Sequence, residues 1–172
     1  AMYQAKAAGR RTYLRYTEAM DGQSRRRAGM IASLRRVVER DELRLVFQPQ
    51  LALADGRVTG VEALLRWHSP EHGEVPPSQF IPLAEESGLI VGIGEWVLRE
   101  ACRQMREWLD AGWPQVPVAV NLSARQFQQP DLVRRVHDAI AAAGIPPQCI
   151  ELEMTESSLM HNVDEALAQV RA

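Results

Sequence analysis

Apolar residues recur along the chain with two spacings, one typical of helices and the other of strands. In an amphipathic helix they repeat every three or four residues, whereas in a half-buried strand they alternate with polar residues. The helical spacing predicts four helices, over residues 17–40, 78–87, 91–111 and 131–143. Alternation, or a short run rich in valine and leucine, predicts four strands, over residues 43–50, 61–67, 116–122 and 150–155.

Glycine and proline residues mark the connections between these elements. Asp55-Gly56 lies between the first two strands and is typical of a hairpin, so we expect those strands to be antiparallel. Pro49 is expected to end the first strand, because proline cannot donate a ladder hydrogen bond. Residues 68–77 hold three prolines and are predicted to form a loop, after which Ser78 caps a helix that ends at Gly88.

The later strands are each followed by a helix with a short connection, which indicates parallel βα units. No glycine-rich loop follows any strand, which weighs against a dinucleotide-binding sheet and favours a β/α barrel. Such a barrel takes about 250 residues, more than residues 41–172 supply. We therefore predict an α/β fold, a (β/α)8 TIM-like barrel with an antiparallel first strand, of which only about the N-terminal half is present.

The two ends of the sequence read as interrupted elements. Residues 1–8 have the pattern of a helix end, and residues 11–16 that of a short strand. Asn162 opens a helix that is still unfinished at Ala172. The pattern predicts that the sequence is cut at both ends, and it predicts three regions: a remnant of another domain at 1–16, a linker helix at 17–40 and the barrel half at 41–172.

Composition and charge exclude several classes of protein. The chain is 46% hydrophobic and 24% charged, as expected of a globular protein, and no apolar run approaches the roughly 20 residues of a membrane span. Two distant cysteines argue against a zinc or disulfide framework and for a reducing compartment, so we expect a cytoplasmic location, with any membrane anchor in another part of the protein. Residues 1–44 carry eleven basic and five acidic side chains. No aromatics interleave the arginines at 25–27 and 35–36, which lie on one predicted amphipathic helix, so a solvated helix face or linker is favoured over binding to a nucleic-acid polymer.

Oxygen-bearing side chains lie at the ends of successive predicted strands, where a β/α barrel places its chemistry. A period of two puts Glu62, Leu64 and Arg66 on one strand face, opposite the face of Trp67. That strand alone could be an edge strand with a solvated face, and each acid alone could be a loop residue or a helix cap. The repetition over successive strands favours convergence on one site, and the full candidate set is Gln48, Glu62, Arg66, Asn121, Glu153 and Glu156.

The chemistry of this set points to a cation and a phosphate. Carboxylate and amide oxygens are hard ligands suited to Mg²⁺ or Mn²⁺. The planar guanidinium of Arg66 suits a phosphate. Divalent ions held by carboxylates beside an arginine favour hydrolysis of a phosphodiester, in which two metals activate a water and stabilise the phosphate oxygens.

Longer motifs carry a resemblance to a known family. The sequence resembles the EAL domains, the bacterial cyclic di-GMP phosphodiesterases, through Glu62-Ala63-Leu64-Leu65-Arg66-Trp67. Five further segments share the resemblance: Phe47-Gln48-Pro49, residues 80–90, residues 93–98 with Ile93-Gly94-Glu95-Trp96, Asn121-Leu122-Ser123-Ala124-Arg125-Gln126-Phe127 and Glu153-Met154-Thr155-Glu156-Ser157. Residues 1–10 resemble the last helix of a GGDEF (diguanylate cyclase) domain, which commonly precedes an EAL domain.

The resemblance implies a role for each matching position. Glu62, Asn121 and Glu153 would be metal ligands, with Glu62 also counted as catalytic. Gln48 and Arg66 would bind the dinucleotide, and Leu64 would line its site. Glu156 would be a second catalytic residue, which steadies a loop that organises the metals and a homodimer formed through the EAL domain.

The implied reaction is hydrolysis of cyclic di-GMP to the linear dinucleotide, with two Mg²⁺ or Mn²⁺ ions in the full domain. The family's remaining motifs, among them Asp-Asp-Phe-Gly, would follow Ala172, so the isolated chain is expected to be inactive. An alternative is an EAL-type module that binds cyclic di-GMP in a signalling protein without turning it over.

Overall fold

A computed structural model describes residues 18–154. The predicted helix end at 1–8, the strand at 11–16, the helix from Asn162 and the residue Glu156 lie outside these residues. Helices are α1 (Glu18–Leu34), α2 (Pro77–Ser87), α3 (Ile90–Asp110), α4 (Ala124–Phe127) and α5 (Leu132–Ala143), with a short 3₁₀ helix at Pro147–Cys149. Strands are β1 (Leu43–Leu51), β2 (Val58–Ser69), β3 (Gly73–Val75), β4 (Val118–Asn121) and β5 (Ile150–Glu153).

The strands form one mixed sheet in the order β1-β2-β4-β5, and the short β3 pairs with the end of β2. Strands β1 and β2 are antiparallel, and β2, β4 and β5 are parallel to one another. An antiparallel first strand followed by parallel βα units was the topology predicted from the sequence. The predicted α/β class is therefore confirmed.

One face of the sheet is covered by helices and forms the hydrophobic core. Trp67 is fully buried and packs edge-on against Phe80 of α2, with ring centroids 5.6 Å apart. Val118 and Val120 of β4 are buried on the same face. The opposite face carries the polar side chains of the strands, so each strand has an apolar side towards the helices and a polar side away from them.

The first helix is shorter than predicted. It ends at Leu34, and residues 35–41 form turns that end at Asp41, which has a positive φ of 54°. These turns place Val37 in the core at 1% exposure, close to the buried Leu34, and a continuous helix to residue 40 was therefore the wrong prediction. The periodicity misled because both residues are apolar at helical spacing, whereas the chain reverses after Leu34 to enter β1.

Pro49 does not end β1, which continues to Leu51. Pro49 lies opposite Val61, whose N–H donates to the carbonyl of Pro117 on the far side of β2. The Pro49–Val61 pair therefore needs no hydrogen bond from the proline nitrogen, and the β1–β2 ladder loses no hydrogen bond at Pro49.

Two predictions near the second hairpin are also wrong. Residues 68–77 are not all loop, because β2 runs to Ser69 and β3 returns from Gly73 to Val75. The helix that follows is capped at Pro76 with Pro77 as its first residue, and Ser78 makes no cap. Proline is well suited to that first position because its missing N–H would have no helical partner there.

Other helix ends follow the sequence closely. Gly88 and Gly144 close α2 and α5 in the left-handed conformation, with φ of 78° and 63°. Strands β4 and β5 are each shorter than predicted, ending at Asn121 and Glu153.

No helix within residues 18–154 has both the length and the apolar content to cross a lipid bilayer.

The two cysteines are core residues, as their small apolar side chains suggested. Cys102 and Cys149 are both fully buried and are not joined in a disulfide. Burial, and secondarily the neighbouring Cys149, raises the pKa of the Cys102 thiol to about 11. Burial also raises the pKa of Cys149, so neither thiol is poised for chemistry.

Candidate metal and phosphodiester site

Strand register brings the predicted site residues to one face of the sheet. Gln48 of β1 lies opposite Glu62 of β2, and Glu62 is level with Ala119 of β4. Asn121, two residues after Ala119, is level with Glu153 of β5. Because residues level with one another on neighbouring strands point to the same face, these polar side chains all project away from the helices.

The closest contact in this group joins Glu62 and Asn121. Asn121 Nδ2 donates a hydrogen bond of 2.7 Å to Glu62 Oε1, across the parallel pair β2 and β4. Side chains on opposite faces of a sheet could not make this contact. The two residues are therefore close enough to share a cation.

Glu153 completes a set of three candidate ligands. It is half-buried, level with Asn121, and its main-chain carbonyl accepts the N–H of Leu122 at 2.8 Å. That bond ties the residue after Asn121 to the strand that carries Glu153. Two carboxylates and one amide form an oxygen donor set, which fits Mg²⁺ or Mn²⁺ and does not fit a thiolate-bound metal.

Within residues 18–154, no three His, Cys, Asp or Glu side chains lie close enough to hold a metal ion by themselves. A cation site with three side-chain ligands from the described residues would therefore include a ligand of another type, such as the amide oxygen of Asn121. Glu156, the third acid of the candidate set, lies outside the described residues.

Arg66 and Leu64 follow Glu62 on the same face of β2. Arg66 is half-buried, and its Nη1 donates to the carbonyl of Leu65 at 2.9 Å. No carboxylate among the described residues pairs with it, so most of its donors remain available to an anion. Arg66 lies four residues after Glu62, a distance of about 13 Å along β2.

The segment after Asn121 contains a structural feature that the sequence reading missed. Ser123 caps the four-residue helix α4 in a reciprocal capping box with Gln126, whose Oε1 accepts from Ser123 N at 3.1 Å and from Ser123 Oγ at 2.8 Å. Arg125 donates to the main-chain carbonyls of Glu85 and Glu86, at the end of α2. The sequence contains the signal for this feature, since the spacing of Ser123 and Gln126 matches the Ser-x-x-Gln capping-box pattern.

The fold is that of part of a β/α barrel, in which carboxylate and amide side chains from β2, β4 and β5 share the polar face of the sheet. A family model for the EAL domain matches residues 31–172. The chain therefore belongs to the EAL domain family, as its motifs indicated.

Known proteins with similar sequences or structures also support membership of the EAL family. The chain is 47% identical over 167 residues to the bifunctional diguanylate cyclase/cyclic di-GMP phosphodiesterase MucR of Pseudomonas aeruginosa, covering 97% of this chain and 24% of MucR. It resembles the structure of the PaMucR phosphodiesterase in complex with c-di-GMP, with a TM-score of 0.79 and 48% identity, over 83% of this chain and 58% of that one. It also resembles the FimX EAL domain of Pseudomonas aeruginosa bound to c-di-GMP, with a TM-score of 0.73 and 30% identity, over 83% and 56% of the two chains.

The chain is much shorter than the proteins it matches. It spans about a quarter of the length of MucR and a little over half of the solved MucR phosphodiesterase chain. The family match and the fold describe the chain itself.

Proposed function

We propose that this chain supplies part of a metal-dependent site that hydrolyses cyclic di-GMP to the linear dinucleotide. The observation that carries the proposal is the 2.7 Å hydrogen bond between Asn121 and Glu62, because it joins two candidate ligands from different strands. Membership of the EAL family and the likeness to a c-di-GMP complex of MucR support the choice of substrate.

In this proposal Glu62, Asn121 and Glu153 hold Mg²⁺ or Mn²⁺. When bound, the cations supply a water of lowered pKa and neutralise charge on the phosphate oxygens. Glu62 Oε1 accepts the hydrogen bond from Asn121 Nδ2, so one contact orients both side chains. The amide oxygen of Asn121, which would be its ligand atom, takes no part in that bond.

Arg66, Leu64 and Gln48 would bind the dinucleotide. Arg66 offers guanidinium donors to a phosphate, and Leu64 lies between it and Glu62 on the same face. Gln48 is exposed and lies beside Glu62 on β1, where its side-chain amide can donate to or accept from the substrate. Catalysis also involves Glu156 in this proposal, by analogy with the family motif alone.

The wider organisation belongs to the same proposal. We propose that residues 1–16 are the end of a GGDEF domain, that residues 17–40 link it to the EAL domain, and that the family's remaining site residues follow Ala172. The alignment with MucR, whose name includes diguanylate cyclase, covers 97% of the chain and so extends beyond the EAL match, which supports the first point. Dimerisation through the EAL domain and a cytoplasmic location stay predictions.

The test uses the protein with its complete EAL domain, assayed by chromatography of the products of cyclic di-GMP with Mg²⁺ or Mn²⁺. Glu62→Gln keeps the side-chain shape but removes its charge, and we expect it to lower kcat/KM by at least about 100-fold, the upper end of the cost of impairing a metal site. Glu107→Gln makes the same chemical change on the exposed surface of α3 and should leave the rate within about 2-fold.

Equal rates for wild type and Glu62→Gln would refute the assigned role. Tight calorimetric binding of cyclic di-GMP with no linear product after hours would instead support the alternative, a binding module that does not turn the dinucleotide over.

A further inference from the structure

Two segments that share the family resemblance, Ile93-Gly94-Glu95-Trp96 and the segment Asn121–Phe127, meet in the structure. Gly94 lies in the second turn of α3, and Gln126 lies in α4, five residues after Asn121. Gln126 is 8% exposed, which is unusual for a side chain with a polar amide. The proposed metal and substrate roles do not explain this contact.

The contact between these segments leaves room for a side chain at position 94 only if the Gln126 side chain moves. A Cβ atom added to Gly94 would lie 1.8 Å from Nε2 and 2.6 Å from Cδ of Gln126. The φ of Gly94 is not positive, so the glycine is needed here for close approach and not for its backbone conformation. In the interior of a helix alanine is otherwise favoured over glycine.

Gln126 cannot move away without loss of other bonds. Its Oε1 accepts from both the main-chain N–H and the hydroxyl of Ser123, so a rotation of the Gln126 side chain would break both bonds. Ser123 is two residues from Asn121, and Leu122 between them is bound to Glu153 through its N–H. A shift of Gln126 would therefore reach the main chain that carries Asn121.

We propose that Gly94 and Gln126 form a clamp that holds Asn121 where its side chain meets Glu62. Gly94 is then a positioning residue, acting through Gln126 and Ser123, and neither it nor Gln126 touches the cation. This inference rests on the proposed function for the identity of the cation, but the geometry of the clamp does not depend on it.

The test compares two glycines of the same helix in the protein with its complete EAL domain. Gly94→Ala creates the overlap with Gln126, whereas Gly92→Ala is a matched control, because a Cβ there meets nothing within 4 Å. The readout is the side-chain amide resonance of Asn121 by nuclear magnetic resonance, titrated with Mn²⁺ alone. We expect Gly94→Ala to raise the Mn²⁺ concentration for half-broadening about 10-fold, the lower end of the cost of disturbing a ligand's support, and Gly92→Ala to leave it within about 2-fold.

A double-mutant cycle separates the clamp from a general effect on folding. Gln126→Ala removes the overlapping side chain, so adding Gly94→Ala to it should change the Mn²⁺ response no further than about 2-fold. The same 10-fold loss from Gly94→Ala in both backgrounds, or equal responses of Gly94→Ala and Gly92→Ala, would overturn the proposal.

Failure of the proposed function would look different. If Mn²⁺ does not broaden the Asn121 amide in the wild type, the metal role is wrong, and the chemical shift of that amide without Mn²⁺ still tests the clamp. A shift altered by Gly94→Ala and unchanged by Gly92→Ala supports the clamp in that case, and unchanged shifts in both variants refute it.

Discussion

Glu42 is a buried acid whose removal should destabilise the strand that carries Glu62 and Arg66. Its side chain is 4% exposed, and Oε2 accepts the indole N–H of the fully buried Trp67 at 2.9 Å. Its main-chain carbonyl also accepts the N–H of His68. Glu42 therefore connects the start of β1 to the end of β2 through two hydrogen bonds.

The magnitude follows from the groups left behind. Glu42→Ala would leave the Trp67 N–H buried without an acceptor, which costs about 1–3 kcal/mol, and would also leave a cavity. The variant no longer has to bury a carboxylate, and the desolvation cost that it avoids offsets part of this loss. We therefore expect the free energy of unfolding to fall by about 2–3 kcal/mol in all. For a domain of this size that lowers Tm by roughly 4–12 °C.

Glu42→Gln separates the acceptor from the charge. The amide oxygen can still accept from Trp67, while the attraction to Arg40, whose Nη1 lies 3.7 Å from Glu42 Oε1, is lost. Arg40 is 37% exposed, so solvent screens that attraction and its loss should cost at most about 1 kcal/mol. Glu39→Ala, an exposed acid in the same turn, is the control and should change stability by less than about 0.5 kcal/mol.

The assay is urea unfolding followed by tryptophan fluorescence, with the midpoint and slope compared among the three variants. We expect the losses in the order Glu42→Ala, Glu42→Gln, Glu39→Ala. Equal losses for Glu42→Ala and Glu42→Gln would show that the charge and not the acceptor matters. A loss for Glu42→Ala no larger than that of Glu39→Ala would refute the reasoning altogether.

Two further predictions concern the substrate and the cysteines. Arg66→Lys keeps the charge but loses the planar fork of donors, so we expect KM for cyclic di-GMP to rise about 10-fold. Arg99→Lys, at an exposed position, is the control and should leave KM unchanged. Equal KM values for Arg66→Lys and the wild type would count against the phosphate role. Burial raises the pKa of the Cys102 thiol from its ordinary 9.0 to about 11. The stability that this protonated thiol contributes is therefore present below pH 9 and is lost as the pH rises from about 9 to about 11. A thiol reagent at pH 8 should label Cys102 and Cys149 only after unfolding, and rapid labelling of the folded protein would contradict their burial.

The sequence alone determined the order and type of most elements, and the residue types of the candidate site. The bounds of α3 and α5 follow from apolar spacing and from Gly144, because a 3.6-residue period and a left-handed cap are local properties of the chain. The Asp55-Gly56 turn likewise predicted an antiparallel β1 and β2. Alternation along β2 correctly placed Glu62 and Trp67 on opposite faces.

Only the tertiary structure decided how these local elements meet. The early end of α1 depends on burial of Val37, and the continuation of β1 through Pro49 depends on which partner Val61 binds across the sheet. The Glu62–Asn121 contact and the approach of Gln126 to Gly94 join residues that are far apart in the chain. Distances of this kind are set by the register of β2 on β4 and by the packing of α3 on α4, because local periodicity places a side chain on a face but does not select its neighbour from another element.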